Sequence, residues 1–263
     1  MKKAKLFLYP LLIMGSVSLL TFSCKKDNTG APAATLVTFN PNKTYGTMTD
    51  IDGNTYKTIT IGTQTWMAEN LKVTTYNDST AIPNVTGAYT WKNLTTGAVC
   101  TYNNTTNADT INTYGRLYNW YAGNTGKLCP MGWHVPSDAE WTTLEDYLIA
   151  NGYNYNGSKT GTKIAKAMAS TTGWAFDPTA GDIGNKPSTN NSSGFTALPG
   201  GFRGINGTFY SIGYTGGWWS SDDYYSSNAT AGCRDLGYNY SSLHEEYYGY
   251  LKAVGLSVRC VKD

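Results

Sequence analysis

The chain has 263 residues, with 20 Lys and Arg against 18 Asp and Glu, a formal net charge of +2. Charged residues make up only 14%, against about 25% in an ordinary soluble domain. Such a near-neutral chain has no electrostatic footprint for nucleic acid and no polybasic patch for anionic lipid, and its many Tyr, Trp, Gly, Asn, Ser and Thr residues meet partners through aromatic and hydroxyl groups instead.

Residues 1–23 read as an export signal. Lys2, Lys3 and Lys5 precede an apolar run from Leu6 to Phe22 that is short for a mature membrane span, and Ser23 closes it. Cys24 follows that small residue directly, the arrangement of a bacterial lipoprotein cut before Cys24 and acylated on its thiol. Thr21 and Phe22 stand where such signals usually carry Leu and a small residue. Loss of Lys2, Lys3 and Lys5 leaves 17 basic against 18 acidic residues, a net charge of −1. Membrane attachment then rests on the acyl chains alone. The expected location is the outer membrane, at the cell surface or on its periplasmic face.

Residues 24–45 show no apolar period and several breakers, which predicts a tether. One domain is expected over 46–263, where no second linker interrupts the pattern. Its start reads as a β-meander over 47–68. Asp52-Gly53 makes the first turn, Tyr56–Ile61 alternates as a strand, and Gly62-Thr63 turns into Gln64–Met67. Asp50, Asp52 and Asn54 imitate the start of a calcium loop, but Gly53 comes too early and Ile61 stands where a bidentate Glu is required.

Tyr114–Ala122 predicts a short helix with Leu117, Trp120 and Tyr121 on one face. A clearer helix starts at Ser137, which follows Pro136 and forms a capping box with Glu140; Trp141, Leu144 and Leu148 then share one side. A third helix is expected over Thr162–Ala169. Beyond Ser170 the chain reads as loops with short strands at Phe195–Leu198, Thr208–Ile212, Trp218–Ser221 and Leu256–Val261. Helices early and strands late predict an α+β fold. After Cys24 four cysteines remain, Cys100, Cys129, Cys233 and Cys260. They allow three disulfide pairings, and their separations are too wide for a C-x-x-C site.

Four motifs stand out in order: Leu128–Trp141 (LCPMGWHVPSDAEW), Gly194–Arg203 (GFTALPGGFR), Trp218–Ser221 (WWSS) and Leu256–Val261 (LSVRCV). Together with the meander and the YGRLYNWYA run they closely resemble the Fibrobacter succinogenes major paralogous domain family, found in lipoproteins of Bacteroidota and Fibrobacterota. That family looks like a C-type-lectin-like fold of the formylglycine-generating-enzyme type. The resemblance implies a disulfide between Cys129 and Cys260, worth roughly 4–5 kcal/mol by chain entropy, and leaves Cys100 and Cys233 as the remaining pair, with a free Cys233 thiol as the alternative.

Catalytic signals are thin. His134 reads as structural, and His244-Glu245-Glu246 begins like a zincin helix but lacks the second histidine. No nucleophile elbow, Walker loop or dinucleotide fingerprint occurs. The copper-binding cysteine pair of the enzyme relatives and the calcium triplets of lectins are missing, so no catalytic residue, metal or cofactor is assigned. Asp222 and Asp223 read as solvated loop carboxylates. The positive signal lies between Tyr210 and Tyr250, where 27 of 41 residues are Tyr, Ser, Gly, Asn or Asp, including nine of the chain's 21 tyrosines. Antibody loops use that mixture, and phenol rings also stack on sugar faces.

The expected ligand is therefore an extracellular glycan or protein, bound without catalysis. The contact candidates are Tyr224, Tyr225, Tyr238, Tyr240, Tyr247, Tyr248 and Tyr250, with Asp223, Asn239 and His244 as polar partners. Two alternatives carry the same pattern. Asp223–Tyr250 has the look of a segment diversified by a retroelement, and an envelope enzyme or accessory could use the same groove.

Overall fold

The structure is a computed structural model that describes residues 37–223, 229–245 and 249–263. The elements follow from local chemistry, starting with the meander. Strands β1 (Gly46–Thr49), β2 (Thr55–Ile61) and β3 (Gln64–Met67) pair antiparallel in sequence order. The would-be calcium loop is a turn closed on itself. Asp50 accepts from the Asn54 amide at 2.9 Å and from the Tyr56 hydroxyl at 2.6 Å.

Helix α1 (Ala88–Lys92) and strand β4 (Val99–Cys100) lead to α2 (Ala108–Tyr114), whose N-cap Asn107 accepts from the Thr110 amide. The predicted helix over 114–122 does not form. Gly115 ends α2 at φ 74°, and a Cβ there would sit 2.7 Å from the Asn70 side chain. The chain instead extends into β5 (Leu117–Tyr118), which pairs β4, before one turn of helix, α3 (Trp120–Gly123), capped by Asn119.

After β6 (Trp133–His134), helix α4 (Asp138–Ala150) begins at Ser137 with the capping box complete and buries Trp141, Leu144 and Leu148. The third helix is a single turn, α5 (Ala165–Met168), because Ala169 is extended and bridges Ala197. The later strands are β7 (Gly200–Arg203), β8 (Phe209–Ile212), β9 (Thr215–Asp223), β10 (Thr230–Gly237), β11 (His244–Glu245), β12 (Tyr250–Leu251) and β13 (Val261–Lys262). Phe195–Leu198 is not a strand. Thr196 has φ 59°, and the carbonyls of Phe195 and Thr196 turn inward to the Arg259 guanidinium rather than to a neighbouring chain. Leu256–Val261 is likewise interrupted, with bridges at Leu256 and Ser257 and a ladder only at β13.

Among the described residues the strands form three sheets. A five-stranded sheet runs β1-β2-β3-β13-β6, and β4-β5 is a separate pair. A second large sheet runs β11-β10-β9-β7-β8 with β12 also on β10. The α+β expectation holds. Strand β9 serves two cores: Trp218 packs with Trp141 and Phe195, while Trp219 joins the cluster of Tyr56, Tyr118 and Val258. Cys129 and Cys260 are joined as a disulfide with Cα atoms 6.0 Å apart. The second pairing is overturned, since Cys100 and Cys233 are buried thiols in separate clusters. The folded unit also reaches back before Gly46. Phe39 and Tyr45 pack against a core, and the Tyr45 hydroxyl donates to the Gly194 carbonyl at 3.0 Å. No helix of the described residues is long and apolar enough to cross a membrane.

Candidate functional site

The candidate residues divide between the two ends of β10. At one end, β10 stops at Gly237 and the chain turns through 238–243 before β11 returns, placing His244 opposite Asp235. That turn is fixed at several points. The Tyr240 amide donates to Gly237, the Tyr240 carbonyl accepts from Ile183, and the Tyr238 carbonyl accepts from Gly184 at 2.7 Å. The Ser241 carbonyl takes the Ala165 amide, and Leu243 is buried in the core. A loop anchored this way loses little entropy when a ligand arrives.

Its outer face forms an open cleft of about 320 Å³ lined by Asp182, Asn239, Tyr240, Ser241, Ser242 and His244. The Tyr240 ring rests on Gly237, where an added Cβ would lie 3.0 Å away, and its centroid is 5.8 Å from the imidazole of His244. Asp235 Oδ1 lies 3.2 Å from His244 Nδ1 and orients that ring. Tyr240 is 37% exposed. Burial raises the pKa of Asp182, and the charge and hydrogen bond of Asp177 push it the same way. The cleft therefore presents a ring edge, hydroxyls, an amide, an imidazole and a carboxyl that takes a proton more readily than usual.

Two of the expected contacts, Tyr238 and Tyr250, do not line this cleft. Tyr238 is half-buried against a core cluster, its ring 5.3 Å from that of Tyr214 at a right angle. Tyr250 is half-buried in β12 against the main core, 6.3 Å from the Phe202 ring. It pairs with Ala231, four residues up β10 from Asp235, or roughly 13 Å along the strand. Asp223 stands at that same far end. It is exposed but paired with Lys252, whose ammonium lies 4.2 Å from the Trp120 ring. Asp222 accepts from the Asp138 amide at the start of α4. Neither carboxylate is merely solvated, because each closes a contact between elements. Tyr224, Tyr225, Tyr247, Tyr248 and the lipid-attachment candidate Cys24 lie outside the described residues.

Comparison with known sequences decides the family. The pattern of the Fibrobacter succinogenes major domain matches residues 59–262. The chain belongs to this family. No curated protein and no solved structure matches the chain. The Fibrobacter succinogenes major domain here runs from within β2 to β13 and takes in the disulfide, the capped helix and the cleft. Among the domain's described residues no three His, Cys, Asp or Glu side chains converge where they could hold a metal ion.

The sequence singled out Asn239, Tyr240 and His244, and the fold brings them together. It gave no sign of Asp182, a lone acid in a loop-rich stretch, or of Ser241 and Ser242, which look like any linker serines. Tyr214, 52% exposed beside Tyr238, was legible only as one more tyrosine of the biased segment.

Proposed function

We propose that this domain is the recognition part of an exported lipoprotein with a C-type-lectin-like fold, and that its 237–244 cleft binds an extracellular glycan without catalysis. The observation that carries the reading is the fixed Tyr240 ring, exposed beside His244 and two serines on a loop tied down along its length. A sugar offers one apolar face and several hydroxyls. The ring serves the face, while the amide, hydroxyls and imidazole serve the hydroxyls. The openness of the cleft supports binding over turnover, since chemistry gains from excluding water. The acylated Cys24 would hold this surface at the outer membrane.

A glycan array probed with the protein and with Tyr240→Ala and His244→Ala tests the reading. Tyr240→Ala is expected to weaken binding at least about tenfold, the loss of one good stacking contact. Retained binding in both variants moves the site elsewhere. An array without signal, together with capture of a defined protein partner, transfers the cleft to a protein ligand.

A further inference from the structure

A second and larger cleft, of about 560 Å³, lies among the C-terminal end of α4, the loop after it and α5. Tyr147, Asn151, Tyr153, Tyr155, Lys166 and Thr189 supply its main polar lining. Its walls are held rigid. The side chain of Asn154, only 3% exposed, accepts from the Lys163 amide at 2.7 Å and donates to Ser158 and Gly161, closing the loop. The two exposed phenol rings sit on glycines. A Cβ at Gly62 would come within 2.7 Å of the Tyr147 ring, and one at Gly181 would run into the Tyr155 ring. The Tyr153 hydroxyl accepts from Lys43 Nζ at 3.1 Å, with that ammonium 5.4 Å from the ring centroid.

Charge distinguishes this cleft from the first. Among the described residues Lys166 is the only charged one in its lining, and no carboxylate lines it. The Lys166 ammonium donates to the backbone carbonyls of Asp182 and Asn185, which leaves one of its three protons for a ligand. Asp182 itself lines the other cleft. Burial lowers the Lys166 pKa against the opposing charge of Asp182, so the amine is partly stripped of water and an anion placed beside it would restore the lost solvation. One lysine charge balances a singly charged carboxylate, whereas a phosphate monoester carries close to two negative charges at neutral pH.

We propose that the Tyr147–Tyr155–Lys166 cleft is a second saccharide site, one that takes a carboxylate-bearing sugar with Lys166 on the carboxylate and the phenols on the ring and its hydroxyls. The site has its own lining and meets the 237–244 cleft through the contact of Lys166 with Asp182.

The test is calorimetry of the full-length protein against trigalacturonate, triglucuronate and sialyllactose, each beside its methyl ester. At least one acid should bind with about tenfold preference over its ester, one charge-assisted hydrogen bond. Lys166→Gln should abolish that preference, Tyr155→Ala should weaken acid and ester alike, and His244→Ala should change neither. Because removing a half-buried lysine can unfold the chain, the same titration is followed by NMR on the unaltered protein. There the ring protons of Tyr147 and Tyr155 should shift with the acid. Acids that bind no better than their esters, no acid binding at millimolar concentration, shifts confined to other tyrosines, or a preference that survives Lys166→Gln each overturns the proposal.

Discussion

Arg203, Arg234 and Arg259 are buried side chains in a domain otherwise poor in charge. Arg234 meets carboxylates, Asp138 at 2.6 Å and Glu245 at 3.5 Å. Arg203 and Arg259 instead donate to neutral oxygens. Arg203 donates to the carbonyls of Val85, Thr86 and Gly207, with its guanidinium 4.3 Å from the Trp91 ring. Arg259 donates to the carbonyls of Phe195 and Thr196 and to Asn70, with the Phe195 ring 4.5 Å away. Burial pulls the Arg259 pKa down to about 9, which still leaves it charged at neutral pH. Its planar fork fits diverging carbonyls that no ladder uses, as an ammonium cannot. Arg259→Met would leave the Phe195 and Thr196 carbonyls without donors at about 1–3 kcal/mol each, so the urea midpoint should fall by the equivalent of about 3 kcal/mol or more. Arg259→Lys should recover only part of that loss. A variant as stable as the parent would mean that water reaches those carbonyls. Both arginines sit at or near the ends of the motifs GFTALPGGFR and LSVRCV, so their positions were visible in the sequence. Their role was not, because a basic residue in an extended run looks the same whether it faces water or a ring of carbonyls.

Helix α4 shows how one element ties several others together. Ser137 and Glu140 form the capping box, Asp222 accepts from the next amide, and Glu140 also reaches His134 Nε2 at 2.8 Å. The other nitrogen of His134 meets Asp263 at 2.6 Å, so a single ring links the helix start, β6 and the last residue of the chain. Ser137→Ala should cost about 1 kcal/mol in chemical denaturation, the ordinary worth of an N-cap. Burial disfavours the charged imidazole, yet the bonds and charges of Asp263 and Glu140 outweigh it and the His134 pKa is raised. Burial also works against the Glu140 carboxylate, but the bonds from Ser137 and His134 prevail and its pKa is lowered. The histidine contribution is therefore whole below about 6.5 and lost as pH rises through the raised value, while the glutamate contribution is whole above about 4.3 and lost on acidification. The stability gap between parent and His134→Gln should be widest between those limits and narrow on the alkaline side. A gap that widens above pH 8 would contradict the clamp. The capping box was legible because it is a local code of residues three apart. The false helix over 114–122 shows where local reading ends: Leu117, Trp120 and Tyr121 do share a helical face, but Gly115 and the long-range pairing of Tyr118 with Leu256 take the backbone elsewhere. The 237–244 cleft was half legible for the same reason, since composition flagged one wall and Asp182 arrives from a distant loop.

At the scale of the whole domain, the beginning and the end of the chain are secured by different means. Residues 37–45 look like linker because their breakers hide the anchors: Phe39 packs on Tyr45 and a core cluster, while Asn40 and Tyr45 donate to carbonyls about 150 residues away in sequence. A chain shortened to begin at Gly46 should lose about 2–3 kcal/mol of unfolding free energy, the burial of two half-covered rings, and equal stability would return those residues to the tether. The C-terminal end depends on sulfur. Strand β13 pairs through Val261 with Trp66 on one side and through Val261 and Lys262 with β6 on the other, a short ladder for an interior strand of a sheet. Cys260 stands just before it and joins Cys129 across 131 residues of sequence. Closing so long a loop removes unfolded-chain entropy worth roughly 4–5 kcal/mol. The Cys129→Ser, Cys260→Ser double variant should therefore drop by about that amount in urea, with the amides of residues 258–263 exchanging earliest. Because unfolding also exposes the buried Cys100 and Cys233 thiols, the urea series is run at about pH 5, where exposed thiols stay protonated and do not exchange. A loss below about 1 kcal/mol would mean that the Trp66, His134 and Arg259 contacts already confine the terminal strand, and that the bridge adds little to the fold.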